Sequence, residues 1–391
     1  MAAQVKPIFD PSSSFFDDPY PVYRELRQRA PAYRDEATGH WLITRYADVE
    51  RATTDFETFS SYKGNAVVDS PMRVGKTLGS LDPPRHDELR RIIQRTLAPA
   101  RVTSMVPALQ SSTMQRLEAL RGRASADFIA DFSRPLMFEA IGRLLGLDEE
   151  AAATSATLMS GLFRGSDGPM GGVLPPERFI EIGAFLREQL AGREASPADD
   201  LFSVLLEARN SGAPLGDDEI VANLSTVLLA GNASIGHFFP NVMNALWKFP
   251  DERRLLLADL GKINATIDEA ARWDTSTQSF ARQVMRPTEI AGVTIPADSR
   301  AVVFYASANR DETVIDDPDR FSIDRRRVRH FGFGMGPHVC AGAFVARTML
   351  KTIMEAALPF FGEFDLDLTA APRLRHIMVR GFVNLPISWK G

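Results

Sequence analysis

Cysteine is nearly absent: Cys340 is the single one in 391 residues. One thiol cannot close an intrachain disulfide, which fits a reducing cytoplasm. Nor can it supply the several thiolates of an iron–sulfur cluster or of most structural zinc sites. If a metal is bound, at most one sulfur holds it. A dominant charge is missing too: 45 Lys and Arg stand against 50 Asp and Glu, a formal net charge of −5. No strong field therefore favours nucleic acid or a membrane surface. No window approaches the roughly 18 unbroken apolar residues of a membrane span. The first seven residues, MAAQVKP, hold neither an apolar signal region nor an anchor helix. The expectation is a cytoplasmic monomer acting on a small molecule, with no nucleic-acid or membrane partner.

Hydrophobic residues make up 45% of the chain and charged residues 24%, the balance of a globular protein with a large core. No internal repeat and no low-complexity run divides it, so residues 1–391 are read as a single domain. Residues 41–44 read as a short strand and Tyr46 as a helix start. Residues 60–80, with several glycines and isolated cations, read as a long loop, and loops of this length are commonly functional. From about 87 to 267 the pattern is helical, with apolar residues three and four apart over 109–120, 178–190, 201–208 and 253–260. A helix from near Asp217 towards Trp247 is apolar on both faces and so buried. Asp217, Asp218 and Glu219 open it, where the helix dipole favours negative charge. Pro240 is expected to bend it. After Arg282, residues 289–295 and 300–305 alternate like strands, 343–357 read as the last helix, and the tail as strands and turns. The fold class is mainly α with minor β, one large domain around a long central helix.

The strongest signal is the segment Phe331-Gly332-Phe333-Gly334-Met335-Gly336-Pro337-His338-Val339-Cys340-Ala341-Gly342. Its glycines and Pro337 hold the chain open and let backbone approach a flat ligand. A helix begins just after Cys340, so its free N–H groups point back at the sulfur and favour a thiolate. Such a thiolate is a good axial ligand for haem iron. A zinc reading through His330, His338 and Cys340 lacks a fourth ligand at normal spacing.

These residues carry a resemblance to the cytochrome P450 family, the soluble bacterial-type haem-thiolate monooxygenases. The family's haem loop reads Phe-x-x-Gly-x-His/Arg-x-Cys-x-Gly, and Phe333, Gly336, His338, Cys340 and Gly342 match every fixed position. The likeness runs from about residue 16 to the C-terminus. Glu269-Ala270-Ala271-Arg272 matches the family's Glu-x-x-Arg element, and Arg325 fits the third member of that buried structural cluster. Leu81-Asp82-Pro83-Pro84-Arg85-His86-Asp87-Glu88-Leu89-Arg90 matches the segment whose His and Arg meet the haem propionates. The resemblance thus implies His86, Arg90, Arg282 and His330 as propionate contacts beside the loop residues Phe333, His338, Cys340 and Gly342. The cofactor implied is haem b.

The central helix departs from the pattern. Where the family carries Ala-Gly-x-Asp/Glu-Thr, this chain has Ala230-Gly231-Asn232-Ala233-Ser234. Gly231 is expected to leave room for dioxygen, and Ser234 can still donate a hydrogen bond. Ala233 cannot carry the acid's proton, so water, Asn232 or a substrate group must supply it. The alternative for Ser234 is a bond back to the preceding helical turn.

By family position the substrate meets Val67, Val68, Leu162, Phe163, Val227, Ala230, Thr277, Gln278, Met378 and Val379, a mainly apolar set. Arg73 and Lys76 stand where relatives acting on aromatic acids bind a carboxylate; the alternative is solvent-facing loop charge. Arg325, Arg326, Arg327 and Arg329 adjoin the cysteine loop, where a basic patch can steer an acidic ferredoxin. The length leaves no room for a flavin or nicotinamide domain, so electrons come from a separate ferredoxin and ferredoxin reductase. The resemblance implies insertion of one oxygen atom from O2 by hydroxylation, epoxidation or O-dealkylation. Two rivals stay open: a peroxide-driven or oxidative-coupling haem-thiolate enzyme, and a non-catalytic haem sensor.

Overall fold

A computed structural model describes residues 8–10, 12–159 and 176–390. Leu162 and Phe163, two of the expected substrate contacts, lie outside the described residues. The architecture is helical with a minor β part, as the sequence predicts. The central helix spans Asp217–Lys248, 32 residues, or about 48 Å at the usual rise. Glu219 accepts a hydrogen bond from the Gly216 backbone N–H at 3.1 Å and closes the helix start. The helix runs through Pro240 without a break. Its apolar residues on both faces, from Ile220 to Leu246, belong to the main core.

Around it pack the helices Arg134–Leu145, Ile263–Trp273 and Ala343–Phe361. The last of these runs four residues beyond the expected end at 357, because Leu358 and Phe361 are still buried. A five-stranded sheet stands to one side. Trp41–Ile43 runs parallel to Arg300–Phe304, which pairs antiparallel with Ser279–Val284. Ala32–Arg34 and Phe59–Ser60 form its edges. The sheet has its own apolar cluster, including Val303, Tyr305 and Phe331. It fixes Ser279–Val284, and so Arg282, against the cysteine-loop side of the helices.

One segment read as helix is not a plain α-helix. Ser125–Asp127 is a strand paired with Pro386–Trp389, and Phe128–Ser133 winds as a π-helix. Asp127 starts that turn by accepting from the N–H groups of Ile129 and Ala130.

Among the described residues, no helix is long and apolar enough to cross a membrane.

Candidate active site

The loop before Ala343 is shaped by close contacts that a side chain would prevent. Gly336 sits at φ +70° with Thr53 O beneath it, and Gly332 lies against Ala271 O. Within the loop the Cys340 N–H donates to Phe333 O at 2.7 Å. These anchors aim the sulfur into a cavity of about 240 Å³ between the loop and the central helix.

One wall of the cavity is the helical face made by Val227, Ala230, Gly231 and Ser234, spaced three and four apart. Ile141 and Leu144 close it from the Arg134–Leu145 helix, Phe280 from the sheet and Tyr305 from the short helix that follows the strand Arg300–Phe304. Cys340 is accessible, and the surface it shows faces this hollow. Surrounding protein still raises its thiol pKa through desolvation, opposed by the Gly342 N–H and by Arg90 and Arg347. The expected stabilisation by the following helix is thus reduced to one N–H, since that helix starts only at Ala343.

A polar ring borders the sulfur side. His86 and His338 stack edge to face with centroids 4.5 Å apart. The Nδ1 of His86 meets Asp87 at 2.8 Å. The Nε2 atoms of both rings are buried without a hydrogen-bond partner among the described residues. Arg90 donates to Pro337 O and Val339 O at 3.2 and 2.8 Å. Arg282, buried, donates to Ala281 O at 2.9 Å and meets the Tyr305 hydroxyl. Burial, then Arg282, holds His338 down to about 2, a neutral imidazole. Two orphaned ring nitrogens and two guanidinium groups beside an apolar slot are what a flat, dianionic cofactor needs. The residues present fit haem.

Behind the loop, Glu269, Arg272 and Arg325 meet as expected. Arg272 donates to both oxygens of Glu269 at 2.7 Å, and Arg325 to one of them at 3.0 Å. Arg272 also caps the carbonyls of Asn309, Pro318 and Arg320.

A third of the chain, residues 255–384, matches the family model described as "Cytochrome P450". "Putative cytochrome P450 123" of Mycobacterium tuberculosis is 30% identical, covering 97% of this chain and 96% of that protein. The chain is a member of the cytochrome P450 family. "Erythromycin C-12 hydroxylase" of Saccharopolyspora erythraea is 32% identical over 93% of this chain and 92% of its own. Among solved structures, "cytochrome P450 CREJ in complex with (4-ethylphenyl) dihydrogen phosphate" superposes with a TM-score of 0.88 at 26% identity, covering 99% of each chain. As a P450 the protein is an oxidoreductase with a haem-thiolate cofactor.

Several expected contacts stand elsewhere in this P450. His330 is not in the polar ring; it lines a groove on the outer face with Arg347 and Asp268, and its Nδ1 accepts from Gly332 N–H at 3.1 Å. Phe333 lies in the same groove, under the Arg347 guanidinium at 4.0 Å. Asn232 faces away from the cysteine. One residue is about 100° of helical turn, which puts it in a small separate cavity beside Arg134 and Met137. Its amide nitrogen is held by Leu228 O at 2.8 Å. Gly231 is on the wall, but an added Cβ would come 2.5 Å from Ile141 Cδ1. Its smallness lets the two helices touch. Ser234 donates to Ala230 O at 2.6 Å, the backbone alternative, and keeps only its oxygen lone pairs for a ligand.

The loop contacts also differ. Val67 is buried in the N-terminal core with Phe304 and Ile377, Met378 packs against the same cluster, and Val68 is exposed. The Gln278 amide donates to His376 O at 3.2 Å. Thr277 and Val379 bridge to each other. None of these lines the cavity over Cys340. Arg73 is paired with Asp69 at 3.3 Å and Lys76 with Asp218 at 3.6 Å, and neither lines the cavity over Cys340. Asn65, Leu78, Asn223 and Thr226, which the sequence reading passed over, do line it.

Proposed function

We propose that this P450 inserts one oxygen atom of O2 into a small, mainly apolar substrate, with haem b held through Cys340. The observation that carries this is the Cys340 sulfur opening on an apolar cavity ringed by His86, Arg90, Arg282 and His338. Cys340 would hold the haem through its sulfur, and the four ring residues would hold the two propionates. When bound, the haem supplies dioxygen activation and oxygen-atom insertion, the chemistry the protein itself lacks. The chain's own work is to position and to exclude water. Val227, Ala230, Ile141 and Leu144 present hydrocarbon to the substrate, and Gly231 keeps that wall closed by close helix packing. The Ser234 oxygen, fixed by its bond to Ala230 O, keeps lone pairs with which it can accept a hydrogen bond at the wall.

Electrons would arrive from a ferredoxin and its reductase at the outer face. Arg326, Arg327 and Arg329 are exposed there and line one groove with Val339, a basic rim beside an apolar residue. Arg325 is excluded from that rim because its head is bound to Glu269. The deciding experiment is the carbon monoxide difference spectrum of the reduced, haem-loaded protein. A far-red-shifted Soret band, lost in Cys340→Ala, is the expected result. Its absence in folded, haem-loaded protein refutes the assignment.

One observation favours a second reading, a peroxide-driven reaction. None of the described residues lining the cavity carries a carboxylate, and Ala233 stands at the usual acid position. Turnover with hydrogen peroxide compared with a ferredoxin–reductase pair separates the two.

A further inference from the structure

The cavity's polar groups are few, and almost all are already spent. His86, His338, Arg90 and Arg282 are assigned above to the cofactor, whose two carboxylates balance the two arginines. Asn223 bridges to the 60–80 loop, accepting from Leu78 N–H and donating to Lys76 O, both at 2.9 Å, and donates to Glu219 O at 2.7 Å. The hydroxyl protons of Thr226 and Ser234 go to Ala222 O and Ala230 O. Asn65 is different. Its side-chain amide lines the cavity and forms no hydrogen bond among the described residues.

Asn65 is nevertheless firmly placed. Its backbone N–H donates to Asp69 Oδ2 at 3.0 Å, and its carbonyl accepts from Ala281 N–H at 2.8 Å. The carbonyls on either side, of Gly64 and Ala66, are both taken by Arg300. The side chain rests on Gly79, where an added Cβ would lie 2.7 Å from Asn65 Nδ2. A fixed backbone and a glycine cleared for the amide make a preorganised donor and acceptor in an apolar wall.

We propose that Asn65 is the residue that selects the substrate, and that the substrate is a neutral molecule with one hydroxyl or carbonyl group on an otherwise apolar frame. This rests on the haem-thiolate reading, which consumes Arg90 and Arg282. Among the described lining residues there is no cation other than Arg90 and Arg282, which disfavours carboxylates, and none carries a carboxylate, which disfavours cationic amines.

The test is equilibrium dialysis of the haem-loaded protein against phenylcyclohexane and its alcohol, ketone and carboxylate derivatives. The wild type should bind the carboxylate most weakly. Asn65→Leu, close in shape to the original, should weaken the alcohol and ketone about three- to tenfold, the value of one hydrogen bond, and leave phenylcyclohexane unchanged. Gly79→Ala, which crowds the amide without removing it, should act in the same direction. Equal shifts for hydrocarbon, alcohol and ketone in both variants, or no binding of alcohol and ketone by the wild type, overturn the proposal. So does tightest binding of the carboxylate. The carbon monoxide spectrum of the same samples shows separately whether the haem-thiolate reading has failed.

Discussion

Replacing Glu269 by Gln should destabilise the protein severely, although the two side chains have the same shape. Arg272 is fully buried, and Glu269 and Arg325 have only 6% and 13% of their side chains accessible. In Glu269→Gln one amide NH2 is turned towards the N–H groups of Arg272, and the guanidinium keeps a buried charge with no counter-charge. Breaking a buried pair from one side costs about 3–5 kcal/mol, a large share of a typical total of about 5–15 kcal/mol. The Ser322 N–H, which donates to Glu269 at 3.0 Å, can lose its acceptor as well. An apolar double replacement often repairs such a pair. Here it should not. Arg272 also satisfies three backbone carbonyls, each costing about 1–3 kcal/mol when left unpaired. Urea unfolding of the haem-loaded protein, followed by circular dichroism and by the Soret band, measures both variants. The Soret band should be lost in the same transition as the helix signal, because the cluster ties Ile263–Trp273 to the segment entering the cysteine loop. A Glu269→Gln protein within about 1 kcal/mol of wild type would refute the reasoning, since surface pairs are worth that little.

Gly231→Ala should cost about 1–3 kcal/mol by overpacking, and Ile141→Val, which removes the clashing Cδ1, should recover much of it in the double variant; denaturation midpoints decide. Arg282→Leu should release haem faster to apomyoglobin, and an unchanged transfer rate would remove Arg282 from the propionate set. The buried His237 is held down to about 3, by burial first and then by Arg134, while an unfolded chain titrates near 6.5. The unfolded state therefore binds the extra proton, and this share of stability is full above about pH 6.5 and is lost as pH falls through about 3. His237→Gln should flatten that part of the acid-stability curve, and an unaltered slope counts against it. Ser234→Ala should raise the peroxide released per product, and unchanged coupling would remove the Ser234 oxygen from hydrogen bonding at the wall.

What could be read in the sequence was what local spacing decides. The central helix, the cysteine loop and the Glu269–Arg272 pair are each written within a few turns of chain, and they meet as their intervals require. The loop contacts were harder, because the direction of a loop side chain is set by partners far away. Val67 turns into the core of Phe304 and Ile377, and the Gln278 amide is taken by the backbone of His376. The strand Ser125–Asp127 left no local trace because its partner is Pro386–Trp389. Asn232 was misplaced by a single residue, which on a helix is enough to exchange one cavity for another. Asn65 carried no motif at all; what distinguishes it is a cavity-lining amide with no hydrogen bond among the described residues, a property that only the folded chain has.

The two glycines that seat the cysteine loop bear on when the cofactor can be captured. Gly336 rests on Thr53 and Gly332 on Ala271, so the sulfur takes its position from segments made early and late in synthesis. Neither half of the polypeptide alone can offer iron a finished socket. Haem uptake then acts as an inspection of the completed chain, and a protein truncated before Cys340 should leave the ribosome colourless, however well its helices have formed.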